Sequence, residues 1–157
     1  GAKAVVVGAK RRTVAVENIV TGPGSLSLAK GEIIESITLP KGGANVGDAY
    51  LRFIPRTEMD IAVVGVGICL TLSKGVIATA KVALGAVAPT VVVVPEAAKA
   101  IIGTKLDDSA LEKLAAASSA ACNPIDDKRG TVEYRTRVAG VLATRAAKIA
   151  YERAGGK

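Results

Sequence analysis

Apolar residues alternate with small or polar residues over two neighbouring stretches in the middle of the chain. Residues 61–72 read IAVVGVGICLTL, with an apolar set of Ala62, Val64, Val66, Ile68, Leu70 and Leu72 and an opposite set of Gly65, Gly67, Cys69 and Thr71. Residues 76–87 repeat this spacing with Val76, Ala78, Ala80, Val82 and Leu84. A period of two predicts two strands. The Ser73-Lys74-Gly75 segment between them predicts a hairpin turn, with Gly75 free to adopt a positive φ.

A helical period replaces this alternation in the last third of the chain. Pro95 suits a first helical position and Gly103 a helix stop, which predicts a short helix over PEAAKAII. Ser109 and Glu112 form a capping-box pattern that predicts the start of a second helix, which ends before Pro124. A third helix is expected from Gly130 or Thr131 to about Ala154. Its predicted core stripe comprises Val138, Leu142, Ala146, Ile149 and Ala150, with Arg135, Arg137, Arg145, Lys148 and Arg153 beside it.

The N-terminal segment adds a short apolar run at residues 4–7 and a predicted strand, GEIIESITLP, that Pro40 closes. Strands therefore come first and helices later. This order is typical of the α+β class, in which helices cover one side of an antiparallel sheet.

Composition narrows the chemistry that this chain can perform. The 157 residues include no histidine, which removes the usual general base at neutral pH, the Ser-His-Asp and Cys-His arrangements and most zinc sites. The net charge of +7 comes from dispersed lysines and arginines without interleaved aromatics, so nucleic acid is not expected as a partner. The longest apolar run is too short to span a bilayer, so we expect a cytoplasmic protein that does not bind membranes.

Neither the cysteines nor the glycine and acidic motifs predict a catalytic or metal site. Cys69 and Cys122 lie far apart in apolar surroundings, which predicts buried, reduced thiols. The Gly65-Val-Gly67 pair precedes a turn instead of a helix, so it does not predict a dinucleotide site. Asp126 and Asp127 precede the third helix, where their charge suits the helix dipole. The Glu133-Tyr-Arg135 triplet is interpreted as a helix-surface charge cluster that locks the helix onto the sheet.

The most varied side chains concentrate in residues 48–60, DAYLRFIPRTEMD, at a predicted loop-to-strand junction. Tyr50, Arg52 and Arg56 could flank a flat, electron-rich or anionic ligand, because loops fixed to a rigid sheet often carry function. The alternative is structural: Arg56 pairs with Glu58 or Asp60, and Phe53 enters the core. The residues by themselves leave both interpretations open.

Several segments, in order, resemble one protein family. They are AYLRFIPRTEMDIAVVGVGI, ALGAVAPT and PIDDKRGTVEYRTRVAGVL, preceded by IVTGPG and GEIIESITLP. Together they resemble the C-terminal portion of the FAD-binding (medium) subunit of the molybdenum hydroxylases, the xanthine dehydrogenase and carbon monoxide dehydrogenase flavoprotein family. The resemblance implies an antiparallel three- or four-stranded sheet packed against three helices. It also divides the chain into residues 1–40, the tail of the FAD-binding domain, and residues 41–157, the C-terminal α+β domain.

The resemblance also implies cofactor-binding residues but no catalytic and no metal-ligating residue. Ile34 matches a hydrophobic strand residue beside the flavin, Tyr50 an aromatic near the isoalloxazine, and Arg52 a basic residue that contacts FAD. Arg56 belongs to a charged loop near the flavin. In that loop Glu58 and Asp60 also match, whereas Thr57 and Met59 replace charged residues.

The implied function is electron transfer in an oxidoreductase complex, from [2Fe-2S] clusters through FAD to an acceptor. The implied partners are an iron–sulfur small subunit and a large subunit that holds the molybdenum cofactor. The glycine-rich segments that hold the FAD diphosphate in the family are not among these 157 residues, so FAD is expected to be shared with an N-terminal FAD-binding half. The alternative is a non-catalytic assembly domain that does not hold FAD alone.

Overall fold

The computed structural model describes residues 1–57 and 61–156. The chain forms two compact units, Gly1–Gly42 and Gly43–Lys157. Within the described residues, no sheet is shared between the units.

The N-terminal unit contains five short strands: β1 (Lys3–Val7), β2 (Arg11–Ala15), β3 (Val20–Gly22), β4 (Ser25–Leu26) and β5 (Ile33–Thr38). An antiparallel sheet of order β2-β1-β5 places β1 in the centre, and β3 pairs with β4. The buried residues are Ala4, Val6 and Ile19. Every residue of β5 is exposed, so this unit has a small core.

The described residues of the C-terminal unit form four strands and three helices. They are β6 (Val46–Phe53), β7 (Val64–Ser73), β8 (Val76–Gly85), β9 (Val92–Val93), α1 (Pro95–Ile101), α2 (Asp108–Ala120) and α3 (Val132–Arg153). The strands form one antiparallel sheet of order β6-β7-β8-β9. Helix α3 packs against β6 and β7, and α1 packs against β8. The predicted α+β class, with an antiparallel sheet of three or four strands packed against three helices, is confirmed, and the sheet has four strands.

The β7–β8 hairpin closes through the expected turn, in which Lys74 has φ 52° and Gly75 has φ 77°. The pairing register shifts between Thr71 and Leu72. Because of this shift Ile77 is buried and Ala78 is exposed, so the prediction that Ala78 shares a face with Val82 is wrong. Alternation alone cannot reveal a local irregularity of this kind.

The helices begin and end close to their predicted limits, with one correction at an N-terminus. Pro95 occupies the first turn of α1, and Gly103 follows this helix with φ 83°. Asp107, and not Ser109, caps α2: its carboxylate accepts a hydrogen bond from the Ala110 amide at 2.9 Å. The helix therefore begins at Asp108, and the aspartate side chain satisfies a free amide of its first turn as a serine cap would. Thr131 caps α3 through the Tyr134 amide.

The core between the helices and the sheet is aliphatic, and small residues let α3 approach closely. Leu142, Ala146 and Ala150 are buried as predicted, whereas Val138 and Ile149 are only partly buried. Their predicted places in the stripe are taken by alanines at positions 139, 143 and 147. A side chain added at Gly47 would collide with the backbone of Ala150 and Ala154, so the glycine permits the contact between β6 and α3.

The predicted burial of both thiols is wrong for Cys69. Its side chain is exposed on β7, whereas Cys122 is partly buried after α2. An apolar sequence neighbourhood does not bury a strand residue whose face of the sheet is uncovered.

Neither a membrane-crossing helix nor a metal cluster occurs in the described part of the chain. None of its helices combines the length and apolarity that a bilayer crossing needs. Within the same residues, no group of three or more His, Cys, Asp or Glu side chains is placed to hold a metal ion.

Candidate functional site

The face of the C-terminal sheet opposite the helices is built from rows of cross-strand neighbours. We call these residues the open face. Its rows are Arg52–Gly65–Gly85, Tyr50–Gly67–Ala83–Val93, Asp48–Cys69–Lys81 and Val46–Thr71–Thr79. Cross-strand partners share a face, so each row crosses the sheet. Three residues of the first two rows are glycines, Gly65, Gly67 and Gly85, so little side-chain bulk lies beside the ring of Tyr50.

Tyr50 is the aromatic side chain of the open face. It is 66% exposed, although its ring lies against the sheet. A Cβ built on Gly65 would lie 2.9 Å from the Tyr50 Oη and 3.4 Å from its Cε2, and one built on Gly67 would lie 3.8 Å from its Cδ2. One edge of the ring therefore runs along the two glycines, and the rest of the ring remains accessible.

Arg52 lies two residues after Tyr50 on the same strand and is exposed on the same face. Both residues were predicted at a loop-to-strand junction, but both lie inside β6, where ladder hydrogen bonds to β7 fix the backbone. The structure therefore brings an aromatic ring and a positive charge together on a rigid strand.

Arg56 lies in the segment that follows β6. Its proposed ion-pair partners, Glu58 and Asp60, lie outside the described residues. The residues that flank this segment are joined by a backbone hydrogen bond, in which the Val63 amide donates to the Phe53 carbonyl at 2.9 Å. Phe53 is partly buried, as its structural interpretation required, and its ring meets Tyr134 edge to face with centroids 6.1 Å apart.

Arg135 anchors the end of this segment to the first turn of α3. Its side chain is only 3% exposed, so its prediction as a surface charge is wrong. It donates to the Val63 carbonyl at 2.9 Å, to the Gly130 carbonyl at 3.2 Å and to the Asp127 carboxylate at 2.6 Å. The expectation that the Glu133-Tyr-Arg135 triplet locks the helix onto the sheet holds for Arg135, which joins α3 to the residue before β7.

Asp127 completes this anchor. Its carboxylate accepts hydrogen bonds from the Arg129 amide, the Arg135 guanidinium and the Arg129 guanidinium. These bonds hold the pKa of Asp127 below its ordinary value, with the Arg129 amide as the largest cause. Asp127 is thus a structural partner of arginine.

Ile34 belongs to the N-terminal unit, where it lies on the outer strand β5 opposite Val6. It is 41% exposed, so an apolar side chain is available at the surface of this unit. The other three predicted cofactor-binding residues all belong to the C-terminal unit.

Four residues beside Tyr50 on the open face were not predicted as site residues from the sequence: Gly65, Gly67, Ala83 and Gly85. A signal was present, because Gly65 and Gly67 stand in the set opposite the valines. The cross-strand positions of Ala83 and Gly85 depend on the register between β7 and β8. This register shifts within the hairpin, so it cannot be read from the sequence alone.

The chain matches the family model described as the CO dehydrogenase flavoprotein C-terminal domain over residues 49–150. It is 36% identical over 143 residues to the carbon monoxide dehydrogenase medium chain of Afipia carboxidovorans, covering 91% of this chain and 49% of the relative. It is 26% identical over 147 residues to the xanthine dehydrogenase FAD-binding subunit of Escherichia coli O157:H7, covering 93% of this chain and 50% of the relative.

Solved structures match the fold over almost the whole chain. A chain of reconstituted CO dehydrogenase from Oligotropha carboxidovorans aligns with a TM-score of 0.92 at 34% identity, covering 98% of this chain and 54% of that one. Quinoline 2-oxidoreductase from Pseudomonas putida 86, at 22% identity and a TM-score of 0.89, shares the fold. The chain thus spans about half the length of the curated relatives it matches. The match over residues 49–150 places this chain in the CO dehydrogenase flavoprotein C-terminal domain family.

Proposed function

We propose that this chain is part of the FAD-binding electron-transfer subunit of a molybdenum hydroxylase. In this proposal it receives electrons from [2Fe-2S] clusters of a small subunit and passes them through FAD to an acceptor. A large subunit holds the molybdenum cofactor. The single observation that carries the proposal is the open face, which presents Tyr50 and Arg52 side by side in a family of flavoprotein domains.

The open face fits the isoalloxazine ring of FAD. Because Gly65 and Gly67 carry no side chain, the Tyr50 ring lies close to the sheet, and the open face has little bulk that would block a planar ring. An exposed aromatic side chain offers offset stacking, for which Tyr50 is placed. FAD, when bound, supplies the reversible acceptance and release of electrons, which the side chains of this protein cannot perform.

The residues of the chain contribute position and charge. The guanidinium of Arg52 favours negative charge on a nearby ligand, and Arg56 adds a second positive charge in the segment after β6. Because Arg52 lies on a strand hydrogen-bonded to β7, its backbone is fixed before a ligand arrives. Ile34, exposed on the N-terminal unit, is the remaining cofactor-binding residue that the family resemblance implies.

Residues 1–40 form, in this proposal, the tail of the FAD-binding domain, and residues 41–157 form the C-terminal α+β domain. The exposed apolar side chains of the N-terminal unit support this division. Ile33 is 66% exposed, Ile37 55% and Leu39 74%. A small sheet that leaves so many aliphatic side chains uncovered is typical of a part that packs against further structure. The FAD-binding N-terminal half of the relatives is the expected partner.

The test of the proposed function is an FAD titration of the full 157-residue chain, followed by the change in the flavin absorption band and by potentiometry. Arg52→Glu should weaken binding and lower the reduction potential by about 30 mV or more, since roughly 1.4 kcal/mol corresponds to 30 mV for a two-electron couple. Arg145→Glu is the matched control, because Arg145 is exposed on α3.

If the two substitutions change FAD binding and the reduction potential equally, Arg52 is not part of the flavin site. The changes would then reflect only the net charge of the chain. A chain that produces no change in the flavin band would favour the second candidate function, a subunit-assembly domain that does not hold FAD alone. The uncovered aliphatic residues of β5 are the observation that keeps this candidate open.

A further inference from the structure

Tyr50 combines high exposure with a defined contact beneath it. An aromatic side chain that is 66% exposed on a strand would ordinarily exchange between rotamers. Here the ring instead reaches from its cross-strand partner, Gly67, diagonally toward Gly65. Ring atoms from Cδ2 to Oη follow the line of these two glycines.

The two glycines are unequal in this contact. A Cβ on Gly65 would approach the Tyr50 Oη at 2.9 Å, which is too close for the ring to stay where it is. A Cβ on Gly67 would approach the ring at 3.8 Å, an ordinary van der Waals distance. Neither residue has a positive φ, so the backbone accepts alanine at both positions.

Resting on the proposed function, we propose that Gly65 is a positioning residue for the flavin site. Because Gly65 has no Cβ, the Tyr50 ring can lie against the open face, and the accessible side of the ring is presented to the isoalloxazine of FAD. Gly65 itself does not have to touch the cofactor. Its contribution is the absence of a Cβ at the one place where the Tyr50 hydroxyl lies.

The contact between Gly65 and Tyr50 matters because it limits the rotation of the Tyr50 ring before a ligand binds. A ligand that stacks on a mobile ring must also restrict the rotation of that ring, and this lowers the affinity. A ring already held against the sheet avoids most of this loss. Stacking also depends on the ring plane, because aromatic pairs prefer offset or edge-to-face arrangements.

A backbone requirement does not explain Gly65. Its φ is not in the left-handed region, and the three atoms nearest to its built Cβ all belong to the Tyr50 side chain. The helix contact at Gly47 differs, because there the nearest atoms are backbone atoms of α3. The need for glycine at position 65 therefore comes from Tyr50.

The experiment follows the tyrosine ring signals of the full chain by NMR after ¹³C-tyrosine labelling, first alone and then during titration with FAD. The chain has only three tyrosines and no tryptophan. Tyr151, whose hydroxyl donates to the Gly75 carbonyl, and Tyr134, whose ring packs on Phe53, are internal references. The variants are Gly65→Ala, Gly67→Ala, Tyr50→Phe and Gly65→Ala with Tyr50→Phe.

Without FAD, Gly65→Ala should shift the Tyr50 ring signals and leave those of Tyr134 and Tyr151 in place. Gly67→Ala should leave the ring of Tyr50 near its original shift, because its Cβ distance is ordinary. Tyr50 signals that respond equally to both alanines, or to neither, would overturn the positioning role of Gly65.

With FAD, Gly65→Ala should weaken binding roughly twofold to tenfold, the range expected for one aromatic pair. Tyr50→Phe removes the 2.9 Å contact, so Gly65→Ala should then cause no further loss. A loss that persists in the double variant would overturn the proposal. If FAD disturbs no signal of the parent chain while Gly65→Ala still moves the ring, the flavin site fails and the Gly65–Tyr50 contact stands.

Discussion

The two faces of the C-terminal sheet use the same strands and almost opposite amino acids. Towards the helices, β7 contributes Val66, Ile68 and Leu70, all at most 2% exposed. On the open face the same strand contributes Gly65, Gly67 and Cys69. The covered face supplies apolar burial, which is the main favourable term in folding. The open face adds little to this core, and its side chains are therefore available for binding.

This difference separates stability from function within one strand. Substitutions towards the helices should lower the free energy of unfolding, whereas substitutions on the open face should change ligand binding and leave the fold intact.

Leu142→Asp should abolish folding of the C-terminal unit. Leu142 is 7% exposed and contributes to the core, so the substitution buries a carboxylate and should cost about 4 kcal/mol or more. The measurement is thermal unfolding followed by circular dichroism. Val141→Asp is the control, because Val141 is the neighbouring residue and is 42% exposed. Equal melting of the two variants would show that the assigned helix face is wrong.

Arg135→Met should lower the free energy of unfolding by about 2 kcal/mol, since it leaves the Val63 carbonyl without its charged donor. Urea unfolding measures the change. Arg137→Met, on the exposed side of α3, should shift the free energy by less than about 0.5 kcal/mol. An Arg135 variant as stable as the Arg137 control would exclude an anchoring role for the buried guanidinium.

Much of the covered face could be predicted from the sequence, because period two and the helical period each report burial directly. The bounds of α3 and the hairpin turn follow from Thr131, Gly75 and the apolar spacing. Arg135 could not be assigned correctly, since an arginine in a helix is usually exposed and its partners lie at positions 63 and 127. Only tertiary contacts show that its charge is satisfied in the interior.

The open face was less predictable than the core. Tyr50 and Arg52 could be selected from the sequence because aromatic and other varied side chains are rare in this chain. Their position inside β6 could not be predicted. Glycine in a strand is usually assigned to a bulge or a close approach. The role of Gly65 depends on where the Tyr50 ring turns, and a one-dimensional pattern does not contain that direction.

Acid should weaken the Asp127 anchor. The pKa of Asp127 in the folded chain lies below its ordinary value of 3.8. Its ionised carboxylate therefore stabilises the fold fully above pH 3.8, and this stabilisation is lost as the pH falls through the folded pKa. Urea unfolding at about pH 7 and about pH 3 measures this loss. Asp127→Asn should show a smaller drop between the two conditions than the parent chain. An identical drop would mean that other carboxylates account for the acid sensitivity.

The smallest effect concerns thiol chemistry and leaves stability unchanged. Cys69 on the open face should react with a disulfide reagent faster than Cys122, whose pKa is raised by burial and whose Sγ donates to the Ser118 carbonyl. Mass spectrometry of peptides after brief labelling distinguishes the two sites. Faster labelling of Cys122 would contradict the exposure of the open face.

The most direct test of the central claim is a methyl and aromatic NMR map of the full chain during titration with FAD. The account predicts shifts at the Tyr50 ring and the Ala83 methyl on the open face, with the Ile68 and Val82 methyls beneath the helices unmoved. Perturbations confined to the helix layer, or an open face that does not respond to FAD, would contradict the account.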